Sequence, residues 1–275
     1  MRVRAIAAAL AVTAAALGMA GCAQAGGAGH SVVGADSLVI GVAQNQPGLG
    51  FRSGGVFRGF DVDVATYVAG RVGVAAKNIT FKPIVSGQRE GFLQKGQVDL
   101  VVSSYSITAD RKTKVLFAGP YYVAHQDILV PRSDTAVKNV RDLAGRRLCA
   151  VNGSVSWKRV TEQRQVPARP VPASSYGDCL TKLTGGQVDA ISTDDLILAG
   201  FAAQAGPAVR FVNAPFSDER YGIGIRKQDV SGCEDINKAV TEMYQDGTAG
   251  RLLTKWFGKT GLHLTDTVPQ FEGCS

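Results

Sequence analysis

Leu93-Gln94-Lys95-Gly96-Gln97-Val98-Asp99-Leu100-Val101 and Leu183-Thr184-Gly185-Gly186-Gln187-Val188-Asp189-Ala190-Ile191 are two copies of one short unit. Each reads as a helix end, a glycine cap and a strand. Glycine takes the left-handed conformation that closes a helix, and the apolar run that follows is short enough to be a buried strand. A polar loop comes next in both: Ser103-Ser104-Tyr105-Ser106 after the first copy, Ser192-Thr193-Asp194-Asp195 after the second. Similar units about ninety residues apart predict two α/β lobes of similar build. Ligands of open α/β sheets bind at the carboxyl ends of strands. The two polar loops are therefore expected to face one shared cleft.

The same alternation continues on either side of each copy. Residues 38–42 form a short apolar run and predict a buried strand. Phe60, Val64, Val68 and Val72 recur at spacing four, with Asp61, Asp63 and Arg71 off that stripe, and predict an amphipathic helix. A strand over 79–84, a helix over 90–95 and a strand over 98–102 follow. In the second half, strands are expected over 127–130, 147–151, 188–191 and 209–212, and helices over 154–163, 176–183 and 195–204. Two C-terminal helices, 234–244 and 248–257, are divided by Asp246-Gly247. Strands alternating with helices predict βα units and mostly parallel sheets.

The chain has 275 residues, 45% hydrophobic and 19% charged, with a formal charge of +7. That composition excludes disorder, collagen and a polytopic membrane protein, and the length suits one large or two modest domains. The start is basic, with Arg2 and Arg4, and residues 5–19 are apolar and rich in alanine. Such a segment suits a signal peptide and is short for a membrane span. It ends in Met19-Ala20-Gly21-Cys22, which resembles a bacterial lipobox. A signal peptide over 1–21, a lipid anchor on Cys22 and a flexible Gly/Ala-rich tether over 22–35 are expected. Loss of Arg2 and Arg4 lowers the formal charge from +7 to +5. The remaining basic residues form no run, which argues against a nucleic-acid partner in an exported protein.

Besides Cys22 the chain holds Cys149, Cys179, Cys233 and Cys274. Outside the cytoplasm four cysteines suggest two disulfides with three possible connectivities. Pairing of neighbours in sequence, Cys149 with Cys179 and Cys233 with Cys274, is the simplest. Metal ligation is not expected: there is no C-x-x-C, and His30, His125 and His263 stand apart from the cysteines.

Ser104-Tyr105-Ser106-Ile107-Thr108-Ala109-Asp110-Arg111 carries most of the chemistry. Thr108 suits a helix N-cap, and Arg111 lies three residues on. Hydroxyls, free N–H groups and a guanidinium at a helix start would hold a carboxylate; a capped helix bearing a solvated arginine is the other reading. Asn152-Gly153-Ser154 offers further N–H donors. Asp194 could take an ammonium group or cap the helix that follows it. An anion site with a carboxylate opposite matches a zwitterionic α-amino acid.

Taken in order, Gly59-Phe60-Asp61-Val62-Asp63, Val98-Asp99-Leu100-Val101-Val102, Ser106-Ile107-Thr108 with Arg111, Phe117-Ala118-Gly119-Pro120-Tyr121-Tyr122, and Val188-Asp189-Ala190 with Asp194 resemble solute-binding family 3. These are the extracytoplasmic amino-acid-binding proteins of polar amino-acid ABC importers. Gln46-Pro47-Gly48-Leu49-Gly50 and Ser192-Thr193-Asp194-Asp195 are similar to the glutamate-binding lipoproteins of actinobacteria within it. The resemblance implies a two-lobed periplasmic-binding-protein fold of type II with the ligand between the lobes. One lobe would comprise residues 36–122 plus 222–275, the other 123–221, with crossings near 122–124 and 220–222. It implies that Arg111 binds the α-carboxylate with Thr108 and Ser154. Asp194 would bind the α-ammonium with Ser104 and Ser106 nearby. Ser86 and Arg89 match positions that hold a side-chain carboxylate, although Arg89 also reads as an exposed helix cation. The family's glutamate binders often place a basic residue where this chain has Ala43 or Gln44. Glutamine or asparagine is accordingly the alternative ligand, with Gln44, Asn45 and Gln46 as amide partners. The implied partners are an amino acid and membrane permease subunits, with no cofactor, for a monomer lipid-anchored to the outer face of the cell membrane. An amino-acid sensor and a dehydratase-like enzyme on the same fold are the competing functions.

Overall fold

The computed structural model describes residues 31–274. The signal peptide, Cys22 and most of the tether lie outside the described residues. The tether's last residues are held: the Ser31 hydroxyl donates to Asp229 Oδ1 at 2.7 Å, the Val32 N–H donates to Oδ2 at 2.9 Å, and Val32 is buried. The folded region thus starts a few residues before the expected position 36.

The first half runs β1 (Leu38–Val42), a three-stranded antiparallel hairpin of β2 (Asn45–Gln46), β3 (Gly50–Ser53) and β4 (Val56–Arg58), and α1 (Phe60–Arg71). It continues through β5 (Ile79–Pro83), α2 (Arg89–Gln94), β6 (Leu100–Val101), α3 (Ala109–Lys112) and the long β7 (Leu116–Pro131). Next come β8 (Arg147–Val151), α4 (Ser156–Lys158) with a π-helical turn beyond it, β9 (Arg169–Ala173), α5 (Tyr176–Thr184), β10 (Ile191–Asp194) and α6 (Asp195–Ala205). The chain closes with β11 (Val209–Phe211), β12 (Ser217–Ile225), α7 (Val230–Gln245) and α8 (Thr248–Phe257).

The repeated unit is built twice with matching bonds. Gly96 and Gly186 both turn left-handed, at φ 64° and 69°. The N–H groups of Gln97 and Gln187 reach back to Phe92 and Lys182 carbonyls, each at 2.8 Å. These 6→1 bonds satisfy carbonyls that a helix end otherwise leaves open. Asp99 then exchanges two bonds with Val39, and Asp189 exchanges two with Arg147: each N–H donates to the partner's carbonyl, and each carboxylate accepts the partner's N–H. The aspartate of each copy thereby fixes the helix–turn to the first strand beside it.

Beyond that aspartate the copies part. β6 pairs parallel with β1. The second copy makes a single parallel bridge, Leu148 with Ala190, and its strand β10 starts at Ile191, antiparallel to β7. The strand expected over 188–191 is displaced because the open edge of β7 offers partners to residues 191–194.

Six strands lie in the order β10-β7-β12-β6-β1-β5, with β11 also on β7. The expected parallel pairing holds at β1–β5, β1–β6 and β8–β9. The sheet is nonetheless mixed and not mostly parallel, because β12 runs antiparallel to both β6 and β7. Of β7 only 127–130 was legible, and β12 not at all. Gly222 and Gly224 interrupt the apolar alternation of β12, where the side chains of Ile107, Phe117 and Tyr105 approach the backbone too closely for a Cβ. The β7–β12 ribbon spans both crossings implied by the resemblance: Val123 pairs with Arg220 and Tyr122 with Tyr221, and the register shifts between Tyr221 and Ile223. Phe60, Tyr121, Tyr122 and Tyr221 pack there edge-on or tilted and anchor the main core.

Cys149 is joined to Cys179 and Cys233 to Cys274, with Cα separations of 5.7 and 5.9 Å. Each bridge closes a loop worth roughly 3–4 kcal/mol in the chain-entropy account. The first ties β8 to α5; the second ties the C-terminal segment to α7.

Candidate functional site

Ser86, Arg89, Ser104, Ser106, Arg111, Ser154 and Asp194 line one narrow cavity, joined by Val155, Ser156 and Tyr176. Residues scattered over more than a hundred positions meet because α2, α3, β8, α5 and β10 all end or begin there. Thr108 is absent from the lining. Its hydroxyl accepts the Arg111 N–H at 3.3 Å as the cap of α3, so it positions Arg111.

One wall is cationic. Arg111 is 4% exposed and Arg89 3%, so neither is a solvated surface cation. Arg111 donates from Nη1 to the Ser106 carbonyl at 2.7 Å and from Nη2 to the Gly153 carbonyl at 3.0 Å. Arg89 donates to the carbonyls of Ser86, Ser103 and Gly153 at 3.0, 3.2 and 3.3 Å. Both guanidiniums lie over the Tyr105 ring, 4.3 Å (Arg89) and 5.0 Å (Arg111) from its centroid. Carbonyls orient the two cations without neutralising them. Glu90, 3.4 Å from Arg111, is the carboxylate in contact. Burial, and then the charge of Arg89, push Arg111 down to about 10, which leaves it cationic at neutral pH. A guanidinium has five N–H groups, and each of these two keeps some for an anion.

Ser104 completes this side. Its N–H donates to Asp61 Oδ2 at 2.9 Å and its hydroxyl to Gln46 Oε1 at 3.0 Å. Tyr121 donates to the other Asp61 oxygen at 2.7 Å. Burial raises Asp61 to about 6 against the pull of these donors. Gln46, a candidate amide partner of the ligand, is buried and holds the Ser104 hydroxyl.

The opposite wall is acidic. Asp194 is 3% exposed. Its Oδ2 accepts from the Tyr221 hydroxyl at 2.7 Å, while its Oδ1 is buried with no hydrogen-bond partner. The side chain does not cap α6, which removes the alternative reading of this residue. Burial, then the neighbouring Glu219 charge, push Asp194 well above the usual carboxylate range. Beside it, the Tyr176 hydroxyl bonds with Ser154 at 2.6 Å and Ser156 at 2.8 Å, and Ser156 with Thr193 at 3.1 Å.

Sequence reasoning missed Tyr176, Ser156, Tyr105 and Asp61. Tyr176 and Ser156 read as ordinary first-turn residues of helices, and only the three-dimensional meeting of those helix starts gives them a role. Among the described residues no group of three or more His, Cys, Asp or Glu side chains could hold a metal ion, and no helix is long and apolar enough to cross a membrane.

The sequence pattern of the bacterial extracellular solute-binding proteins, family 3, matches residues 38–259. The chain belongs to this family. Among family 3 relatives, the glutamate-binding protein GluB of Corynebacterium glutamicum is 37% identical over 245 residues, which are 85% of this chain and 82% of that protein. The ABC transporter glutamine-binding protein GlnH of Bacillus subtilis is 33% identical over 224 residues, 80% and 81% of the two chains. The solved structure of an ancestral arginine-binding protein bound to glutamine superposes with a TM-score of 0.76 at 32% identity, covering 82% of this chain and 99% of that one. The two-lobed type II fold of family 3 is thereby the fold of this chain.

Proposed function

We propose that this protein captures a polar amino acid, glutamate first, and delivers it to the permease of an ABC importer. The observation that carries this reading is the pair of opposed charges lining one narrow cavity. Two buried guanidiniums face a buried carboxylate whose free oxygen has no partner. An α-amino acid satisfies both sides at once. Arg111 grips the α-carboxylate with paired N–H groups, positioned by Thr108 and aided by Ser154. Asp194 takes the α-ammonium, with Ser104 and Ser106 alongside. Arg89 and Ser86 read the side chain.

A second cation buried beside the first favours a ligand with a second negative charge, and GluB is a glutamate binder by name. Glutamine or asparagine remains the alternative, since GlnH is a glutamine binder by name and Ala43 and Gln44 add no further cation. Residues 36–122 plus 222–275 form one lobe and 123–221 the other, and ligand closes them. The mature protein is a monomer held to the outer face of the membrane by lipid on Cys22. It binds its ligand and releases it unchanged, which separates it from a dehydratase on the same fold; a sensor would lack neighbouring permease and ATPase genes.

A thermal-shift screen of the standard amino acids on the purified mature protein tests this. Glutamate is expected to raise the melting point most, by mass action, and to be recovered intact. No shift with any amino acid would rule the reading out.

A further inference from the structure

Three glycines lie where two parts of the chain meet across the cavity. Gly200 sits inside α6, six positions after Asp194. A Cβ there would overlap the Pro47 carbonyl oxygen and stand 2.9 Å from its carbon. Gly153 follows β8 with φ +75°, and a Cβ on it would overlap Gly87 N and Cα and stand 2.8 Å from the Ser86 carbonyl carbon. Gly177 in α5 would place a Cβ 3.0 Å from Asn45 Cβ. Each contact sets an element of residues 123–221 against a loop of residues 36–122. Gly153 and Gly177 are next in sequence to the cavity-lining residues Ser154 and Tyr176, and Gly200 lies in the helix that begins beside Asp194.

Gly200 is the informative one. Alanine is favoured over glycine in a helix interior, because glycine has more backbone freedom to lose. The helix therefore gains nothing from glycine at this position, whereas the close approach of Pro47 requires it. The obstacle is a backbone carbonyl, which cannot swing away as the end of a long side chain can. At Gly153 the same close approach brings its carbonyl within 3.0 Å of Arg111 Nη2 and 3.3 Å of Arg89 Nη2. Seating of this loop and orientation of both guanidiniums are one event.

We propose that Gly200 and Gly153 are positioning residues for capture. They are the side-chain-free seats on which one lobe comes to rest against the other, and they set how far the cavity closes. This rests on the amino-acid-binding reading and on the lobe division given with it. A methyl group at Gly200 holds the lobes apart, leaving each lobe folded and the ligand incompletely enclosed; at Gly153, where φ is +75°, it also strains the loop whose carbonyl orients both guanidiniums.

The test compares Gly200→Ala and Gly153→Ala with two controls. Gly87→Ala lies on the same seam, but its Cβ would meet Asn152 at an ordinary 3.5 Å; Gly70→Ala lies in α1 with nothing within 4 Å. Affinity for L-glutamate and L-glutamine is measured by calorimetry, ligand-free stability by thermal melting, and compaction by small-angle scattering with and without ligand. The expected result is at least a tenfold loss of affinity in Gly200→Ala and Gly153→Ala, with little ligand-induced shrinkage. The ligand-free melting point of Gly200→Ala is expected to stay level or rise, and both controls to bind within threefold of wild type. Wild-type affinity in Gly200→Ala and Gly153→Ala would overturn the proposal. So would a fall in the ligand-free melting point of Gly200→Ala with affinity kept, which marks the contact as permanent packing. A wild type that binds no amino acid overturns the binding reading and this role with it, whereas a wild type that binds and is matched by the variants overturns this role alone.

Discussion

Arg89 and Arg111 on one side of the cavity commit N–H groups to the carbonyls of Ser86, Ser103, Ser106 and Gly153. Asp194 on the other side places one oxygen on the Tyr221 hydroxyl and leaves the other buried without a partner. The cations are framed in advance by backbone dipoles, which fix their direction, and of the two guanidiniums Arg111 has a carboxylate, Glu90, in contact at 3.4 Å. The carboxylate is underprovided, and an unsatisfied buried acceptor costs about 1–3 kcal/mol. The cationic wall therefore supplies geometry, and the acidic wall holds an unmet demand that an ammonium can fill. Removing a guanidinium should damage both frame and binding; removing the Asp194 charge should relieve the fold while harming binding.

The largest effect is expected from Arg111→Ala. It deletes a charge-assisted, paired grip worth about 1.5–3 kcal/mol per bond and strands the carbonyls of Ser106 and Gly153. Affinity should fall by at least about 100-fold in calorimetry, with a lower ligand-free melting point; undiminished affinity would remove Arg111 from the site.

Asp194→Asn sharpens the contrast. Asp194 is held above its ordinary range in the fold, so its ionised form lowers stability once the pH exceeds the unfolded value near 3.9. Asparagine still accepts from Tyr221 and carries no charge. The ligand-free melting point should rise by a few degrees at neutral pH, while affinity falls by about 10- to 100-fold. A lower melting point would show that the carboxylate is as well framed as the arginines.

Arg89→Gln separates the roles of the two cations. If Arg89 reads a side-chain carboxylate, affinity for glutamate should drop by about tenfold more than affinity for glutamine. Equal losses would make Arg89 a second α-carboxylate donor or part of the frame.

The smallest effect is a pH dependence. Ligand-free Asp194 is raised by burial and by Glu219, and an ammonium beside it would lower it again. Between the two values the free protein holds more proton than the complex. Binding should therefore release protons, and affinity should rise with pH across that window. Calorimetry in buffers of different ionisation enthalpy reads this release. It should vanish in Asp194→Asn, and persistence there would place the titrating group elsewhere.

The local units of the fold were legible because glycine caps and apolar spacing are local signals. Gly96 and Gly186 mark the same turn, and Asp99 and Asp189 make the same pair of bonds. The β7–β12 ribbon was not, since Glu219, Gly222 and Gly224 are set by what packs on them from distant positions. The site divides in the same way. Arg111 and Asp194 stand out because charge near a strand end is visible in the chain. Arg89 read either as a partner of a side-chain carboxylate or as an exposed helix cation, and only its carbonyl partners and the Tyr105 ring explain how a cation sits there 3% exposed. Tyr176 and Asp61 act through hydroxyl and N–H partners far away in sequence, which no local pattern encodes.

The account is tested most directly by calorimetric titration of the purified mature protein with L-glutamate at neutral pH, beside the same titration of Arg111→Ala and Asp194→Asn. It predicts saturable one-to-one binding by wild type, none detectable in Arg111→Ala, and weakened binding without proton release in Asp194→Asn. Absence of binding by wild type to glutamate and to the other polar amino acids, or equal binding by all three proteins, would contradict it.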